Sequence, residues 1–393
     1  MIINNFILIQ KSTIIQIINN IASWITIYFI VNLNGLESLY YFILIGSINQ
    51  VVTTISEFGT SEYILIKSSK INKNSLPITG NIFYLSIITS LTIYFILLLN
   101  FEYFDKKLFY AYLILGLNSI FFSFSIIINY LVGSKNLNKC FFIRIILFIF
   151  YIFIFFAIDN TTNKEIYILF TLYNFLTFVI FQFFFIKKIY FRKNFITKII
   201  KKNFLIFMSN FFLIIKTRGI IIFLNFFLTE LQLSLYGLIT RIIEAFNLIS
   251  AYAIKVFSFD IISNRTLKNF ILSHRNINLI FLFNIFSITL ILIKFQQILN
   301  LDNLNTHYNY IFLIYISLYL SLVKLQEYLF KINSINKNYM DIVFKSTIAS
   351  SLVSVFLTIT LSIYYELIGV FIAYIVSAHL IFYLNNFFYR EKI

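Results

Sequence analysis

The chain alternates between apolar stretches and short polar connections, and a helix needs about 20 largely apolar residues to cross a bilayer. Apolar run length with polar boundaries predicts helices over 12–32, 38–56, 79–100, 108–133, 141–158, 166–186, 204–229, 235–258, 277–297, 308–330, 343–363 and 367–387. Hydrophobicity continues all round these segments, which excludes the one-sided pattern of a surface helix on a soluble protein. The fold class implied is all-α and integral to a membrane, with about twelve transmembrane helices. The first segment lacks a basic start and a small-residue cleavage site, so it reads as a retained helix.

Composition agrees. Sixty per cent of the 393 residues are hydrophobic and 12% are charged, against roughly 25% charged in a soluble globular chain. The longest connections, near 57–78 and 187–203, are too short and too basic to bury a core of their own. The formal charge of +16 is scattered through the loops and forms no basic face, so membrane topology accounts for it and nucleic acid is not a partner. With the N-terminus inside, twenty-one Lys and Arg fall on the cytoplasmic side, while only Lys106, Lys107 and Lys164 fall opposite. That bias predicts a multi-pass protein of the cytoplasmic (inner) membrane of a bacterium with both termini cytoplasmic. The most basic connection, 187–203, follows the sixth span. It divides the chain into two six-helix bundles, 1–190 and 191–393, the arrangement of transporters built from two similar halves.

An ionised side chain at mid-bilayer costs about 2.5–3.5 kcal/mol on the insertion scale, so it faces a cavity or a partner. The seventh span carries Lys216 and Arg218 in FFLIIKTRGIIIFL. Counted from residue 204, Arg218 lies ~21 Å along the span, beyond easy reach of the near interface. Two residues turn an α-helix by ~200°, so both cations cannot face one lumen. Arg218 is the lumen candidate, and Lys216 is partly satisfied between helices. The eighth span carries Arg241, Glu244 and Lys255 on one face. Arg241 and Glu244, at i and i+3, either neutralise each other or line a polar wall.

Arg144, Lys294 and the pair Lys324/Glu327 lie near helix ends, where long side chains reach the interface. Glu57, ending the second span, reads as a turn or interface residue. His274, His307 and His379 read as solvated or interfacial. The excess of Ile, Asn, Lys, Phe and Tyr is the signature of an AT-rich genome, so an intramembrane Asn carries less weight than a charge. With one cysteine, Cys140, no disulfide closes within the chain and a Cys-based metal site is not implied. No phosphate-binding Gly-rich loop, HExxH, GxSxG or Cys/His cluster occurs. No cofactor is therefore implied, and any driving force comes from an ion gradient, the membrane potential or the substrate's own gradient.

Four stretches carry a family likeness. INQVVTTISEFGTSEYILIK ends in an acidic-Phe-Gly run formed by Glu57, Phe58 and Gly59. NYLVGSKNLNKCFFIR is a short basic turn leading into the fifth span. KTRGIIIFLNFFLTELQLSLYGLITRIIEAF joins a charged seventh span, a short acidic turn, a Leu-Tyr-Gly start and an Arg one turn later. YYELIGVFIAYIVSAHL opens the last span on Ile-Gly. Together they resemble the Wzx-like lipid-linked oligosaccharide flippases, in the superfamily that also holds MATE-type multidrug antiporters and lipid II flippases. An Asp common in that family near the position of Thr217 or Arg218 is absent here.

The resemblance implies two six-helix lobes that rock about a cationic cavity. The cargo implied is an undecaprenyl-pyrophosphate-linked oligosaccharide repeat, moved between leaflets for O-antigen or capsule synthesis. Arg218, Arg241, Lys255 and Lys216 would bind the polar head, and Glu244 would temper that attraction or bind a coupling cation, H+ or Na+. Membrane lipid, a glycan polymerase and glycosyltransferases are the implied partners. Two other readings stand beside it. A cation-coupled exporter of small molecules would be dominated by lumen acids. A polymerase or ligase acting on lipid-linked sugars would need a long outer catalytic loop, whereas the outer loops here span about ten residues or fewer.

Overall fold

The computed structural model describes residues 18, 21–60, 64, 76–104, 106–133, 138–157, 162–185, 193–241 and 340–390. Described residues form helices and turns, with no strand among them. In chain order they give α1 (Ile21–Asn34), α2 (Leu39–Glu57), α3 (Leu76–Phe104), α4 (Lys106–Leu115), α5 (Asn118–Phe121), α6 (Phe124–Gly133), α7 (Asn138–Ala157) and α8 (Asn163–Phe185). Next come α9 (Lys193–Ile214), a π-helical turn (Ile215–Gly219), α10 (Ile220–Leu224), α11 (230–241) and α12 (Met340–Arg390). Among the described residues, six helical stretches are long and apolar enough to cross a membrane, and two shorter apolar helices accompany them. The spans predicted at 277–297 and 308–330 lie outside the described residues.

The chain divides into two compact units, 1–225 and 226–393. In the first unit the usual soluble pattern is inverted. On α7, Phe142, Ile146, Ile149, Phe150 and Phe153 are exposed, while Arg144, Leu147, Tyr151 and Phe155 are buried. Spacings of three and four place each set on its own face, so the outward face is apolar, as a lipid-facing helix requires. Exposed Ile88, Leu91, Phe95, Ile96 and Leu99 make the same pattern on α3.

The fourth span is continuous in hydropathy and predicted as one helix over 108–133, yet it is built from α4, α5 and α6 with turns between them. The amide of Gly116 donates to the Tyr112 carbonyl at 2.8 Å, and a Cβ on Gly116 would stand 2.5 Å from that same oxygen. Side chains add bonds to the carbonyls around the turns. Asn118 Nδ2 donates to Leu115 O (2.9 Å), Ser119 Oγ to Gly116 O (2.8 Å) and Ser123 Oγ to Ile120 O (2.6 Å). Short polar side chains compete with the helix in this way, and an apolar run alone does not reveal them.

Neighbouring helices lock onto the break. Asn49 Nδ2 of α2 donates to Leu115 O at 2.8 Å. From α8, Asn174 Nδ2 donates to Asn118 Oδ1 at 2.9 Å, while Asn118 Nδ2 reaches Thr171 Oγ1 at 3.1 Å. These groups are buried, so each bond replaces one that the hydrocarbon could not supply.

The seventh span packs along α2. At one end α2 stops in a left-handed pair, Phe58 (φ 47°) and Gly59 (φ 65°). A Cβ on Gly59 would lie 2.8 Å from the Phe207 backbone nitrogen, so glycine is required here by both conformation and space. The acidic-Phe-Gly run is therefore a helix stop fitted against the seventh span. Glu57 accepts a hydrogen bond from Ser125 Oγ at this turn. At the far end Tyr40 OH donates to Asn225 Oδ1.

In the second unit, α11 opens with a capping box, Gln232 N to Thr229 Oγ1 at 3.3 Å and Thr229 N to Gln232 Oε1 at 3.2 Å. Gln232 Nε2 also donates to Glu366 Oε2 at 2.5 Å. Glu366 (φ 49°, ψ −132°) interrupts the long α12, between the two last predicted spans.

Gly59→Ala is expected to destabilise the protein by about 2–4 kcal/mol, from left-handed strain plus overpacking against Phe207. Thermal unfolding of the purified protein in detergent measures this, and a wild-type midpoint would disprove the fitted stop. Asn118→Ala, which strands Asn174 and Thr171, is expected to cost about 1–2 kcal/mol in the same assay.

Candidate functional site

The two cations of the seventh span sit on the π turn, Ile215–Gly219. A π turn adds one residue to a helical turn and is frequent at functional positions. Thr217 Oγ1 donates back to Leu213 O at 3.0 Å, which occupies a carbonyl at the point where the α-helical ladder changes register. Gly219 follows, where a Cβ would meet only the Ile215 side chain at ordinary contact distance.

Lys216 is 4% exposed and Arg218 5%. The expectation of one lumen cation and one lodged between helices assumed α-helical angles. A π turn takes a smaller step per residue than the α-helix, so two residues turn by about half a circle and the two side chains still point to nearly opposite sides. Both are enclosed by protein, with Thr217 between them half-buried. The helix begins at Lys193, eleven residues before the predicted start, but its apolar stretch begins at Phe204. The depth of Arg218, ~21 Å from Phe204, is therefore unchanged. The π turn contacts α2 and lies midway in sequence between the contacts at Phe207 and Asn225.

Of the eighth-span candidates, Arg241 is half-buried at the last described position of α11. Glu244 and Lys255 lie outside the described residues, as do Lys294, Lys324, Glu327, His274 and His307. Among the described residues no group of His, Cys, Asp and Glu could hold a metal ion.

Arg144 corrects the sequence reading. Its place near the start of α7 suggested a side chain reaching the interface, yet it is fully buried at 0% exposure. It lies on the inward face of α7 with Leu147, Tyr151 and Phe155, and the outward face is left to Phe142 and Ile146. Its guanidinium carbon stands 4.4 Å from the centre of the Phe124 ring, 5.7 Å from Phe181 and 5.9 Å from Tyr173. Nη1 donates to Tyr173 OH at 3.2 Å. The Tyr173 ring packs 4.8 Å from Tyr151, whose hydroxyl shares a 2.6 Å hydrogen bond with Thr26 Oγ1 of α1. Sequence held one signal for this: Arg144 and Tyr151 are seven residues apart on one face of a helix whose other face is wholly apolar.

Solved structures of MATE transporters have this fold. The MATE multidrug transporter DinF-BH aligns with a TM-score of 0.70 and 14% identity over 99% of this chain and 95% of that one. An outward-facing multidrug resistance MATE family transporter of the MOP superfamily aligns at 0.66 and 12% identity, over 99% and 95% of the two chains. An inward-facing one aligns at 0.65 and 14% identity, over 98% of each. No protein-family model matches the sequence, and no curated protein matches it. MATE folds have twelve helices, and the likeness runs along nearly the whole chain, so the fold is the all-α, membrane-embedded MATE fold.

Proposed function

We propose that this chain is a membrane transporter and not an enzyme, and specifically a flippase for undecaprenyl-pyrophosphate-linked oligosaccharide repeats in O-antigen or capsule synthesis. The observation that carries the reading is the sign of the buried charge. Among the described residues, the formally charged side chains that are buried are Arg144, Lys216 and Arg218, all cationic. The described carboxylates Glu37, Glu165, Glu230 and Glu366 are exposed, and Glu57 is half-buried at its turn. Enclosed cations favour an anionic cargo.

The physical problem of such a cargo is its head. Sugars and a pyrophosphate must cross while the polyprenyl tail stays in hydrocarbon. Guanidinium groups offer forked, charge-assisted hydrogen bonds that offset lost phosphate hydration, the role we assign to Arg218 and Arg241. Lys216 adds positive potential, and Lys255 attracts the head near the cytoplasmic mouth. Glu244 limits the net attraction so that release is possible, or binds H+ or Na+. Two six-helix bundles, 1–190 and 191–393, would rock to open the cavity to each leaflet of the bacterial cytoplasmic membrane, with both termini inside. Glycosyltransferases would supply the repeat unit and a polymerase would consume it.

A second reading, a cation-coupled exporter of small molecules, is favoured by the fold neighbours, which are described as multidrug transporters. The two separate in one strain set. Arg218→Ala is expected to lower surface polysaccharide at least about a hundredfold, the equivalent of roughly 3 kcal/mol of charge-assisted bonding, with membrane protein levels unchanged. Phe153→Leu, on the outward face of α7, is expected to behave as wild type. Normal surface glycan in Arg218→Ala would remove that residue from the mechanism. Raised drug sensitivity with normal glycan on gene deletion would establish the exporter instead.

A further inference from the structure

The guanidinium of Arg144 is more completely enclosed than either cation of the seventh span, and the flippase mechanism gives it no contact with the cargo's head. A guanidinium cannot discard its charge by losing a proton, so enclosure makes its donors costly to leave idle. Three aromatic rings surround it, and Nη1 is committed to Tyr173 OH at 3.2 Å. The other two nitrogens, Nε and Nη2, are buried with no hydrogen-bond partner. They share one edge of the planar group and point the same way. A neutral apolar neighbour could pack against the rings, but an acceptor with two oxygens a fork's width apart satisfies both donors at once, as carboxylate and phosphate groups do.

Position chooses between those two. Arg144 lies six residues, or ~9 Å, from the start of α7 at Asn138. The connection before that helix carries Lys135 and Lys139 and is cytoplasmic by the charge bias. That puts it in the cytoplasmic third of the helix, the part nearest the inner-leaflet headgroups. The outward face of the same helix turn is Phe142 and Ile146, a surface made for lipid.

We propose that the Nε/Nη2 edge of Arg144 is a second anion site, separate from the seventh-span cations, which takes a phosphoryl oxyanion, either of a phospholipid headgroup or free. Phe124, Phe181 and Tyr173 hold the guanidinium plane, with its unpartnered edge buried among the helices. Such a site would tie the α6–α7–α8 end of the first unit to the phosphate layer. It does not depend on the flippase reading.

The test uses the full-length protein in a phosphate-free maltoside detergent, titrated separately with inorganic phosphate and with short-chain phosphatidylglycerol while thermal unfolding is followed. A saturable rise in midpoint is expected with at least one probe, needing at least about tenfold more probe in Arg144→Lys, which keeps the charge and loses the fork. The rise is expected to persist in Arg218→Ala. A response to inorganic phosphate identifies a free-anion site, and a response to phosphatidylglycerol alone identifies a headgroup site. The proposal is overturned if neither probe acts saturably, or if Arg144→Lys titrates like wild type. Should Arg144→Lys fail to fold, Arg218→Ala decides: a retained response supports the site, and a lost one assigns the binding to the seventh span.

Discussion

An ionised side chain survives at mid-bilayer only where protein encloses it, and in this chain the packing of α2 along the seventh span does the enclosing. The contact is anchored at both ends, by the Gly59 backbone against Phe207 and by Tyr40 on Asn225. Between these anchors lies the π turn with Lys216 and Arg218. A rigid α-helix would fix the directions of both side chains by its 100° step. The π turn still leaves them on nearly opposite sides, and Thr217 Oγ1 bonds back to the Leu213 carbonyl. The glycine stop and the helical defect thus serve one end: two cations held at depth without contact with lipid.

The rest of the first unit follows the same logic from the other direction. Its outside is apolar, so its inside can be polar, and the fourth span uses that freedom by breaking into three pieces. The broken backbone would be intolerable against lipid. Here Asn49, Asn118, Thr171 and Asn174 join α2, α5 and α8 around it. Arg144 extends the polar interior towards the other end, where aromatic rings replace carboxylates as its neighbours. Ring faces attract a guanidinium without neutralising it, which leaves the local field positive.

Much was legible in order along the chain. Among the described residues, helix positions followed from run length because hydrocarbon imposes a minimum span. The second, sixth and eleventh spans begin and end within a few residues of expectation, since their ends are polar and the side-chain bonds inside them, such as Ser47 Oγ to Ile43 O and Thr177 Oγ1 to Tyr173 O, reach back one turn without breaking the helix. Glu57, expected as a turn or interface residue from its place at the end of the second span, is the last residue of α2 before the Phe58–Gly59 stop. The break at Gly116 did not show, because Asn118, Ser119 and Ser123 look like ordinary polar interruptions in an Asn-rich sequence until their carbonyl partners are known. Arg144 was misplaced for a related reason: distance from a helix end is written in the sequence, but which face meets α6 and α8 is not.

The sequence by itself determined the solvent, the number of crossings and where the charged residues fall along each one, because those depend on local hydrophobicity and the thickness of a bilayer. Only the tertiary structure decided which charges are enclosed and what encloses them. Burial of Arg144, Lys216 and Arg218 depends on helices remote in sequence meeting at particular faces, and packing of that kind is a property of the assembled bundle, not of any one segment.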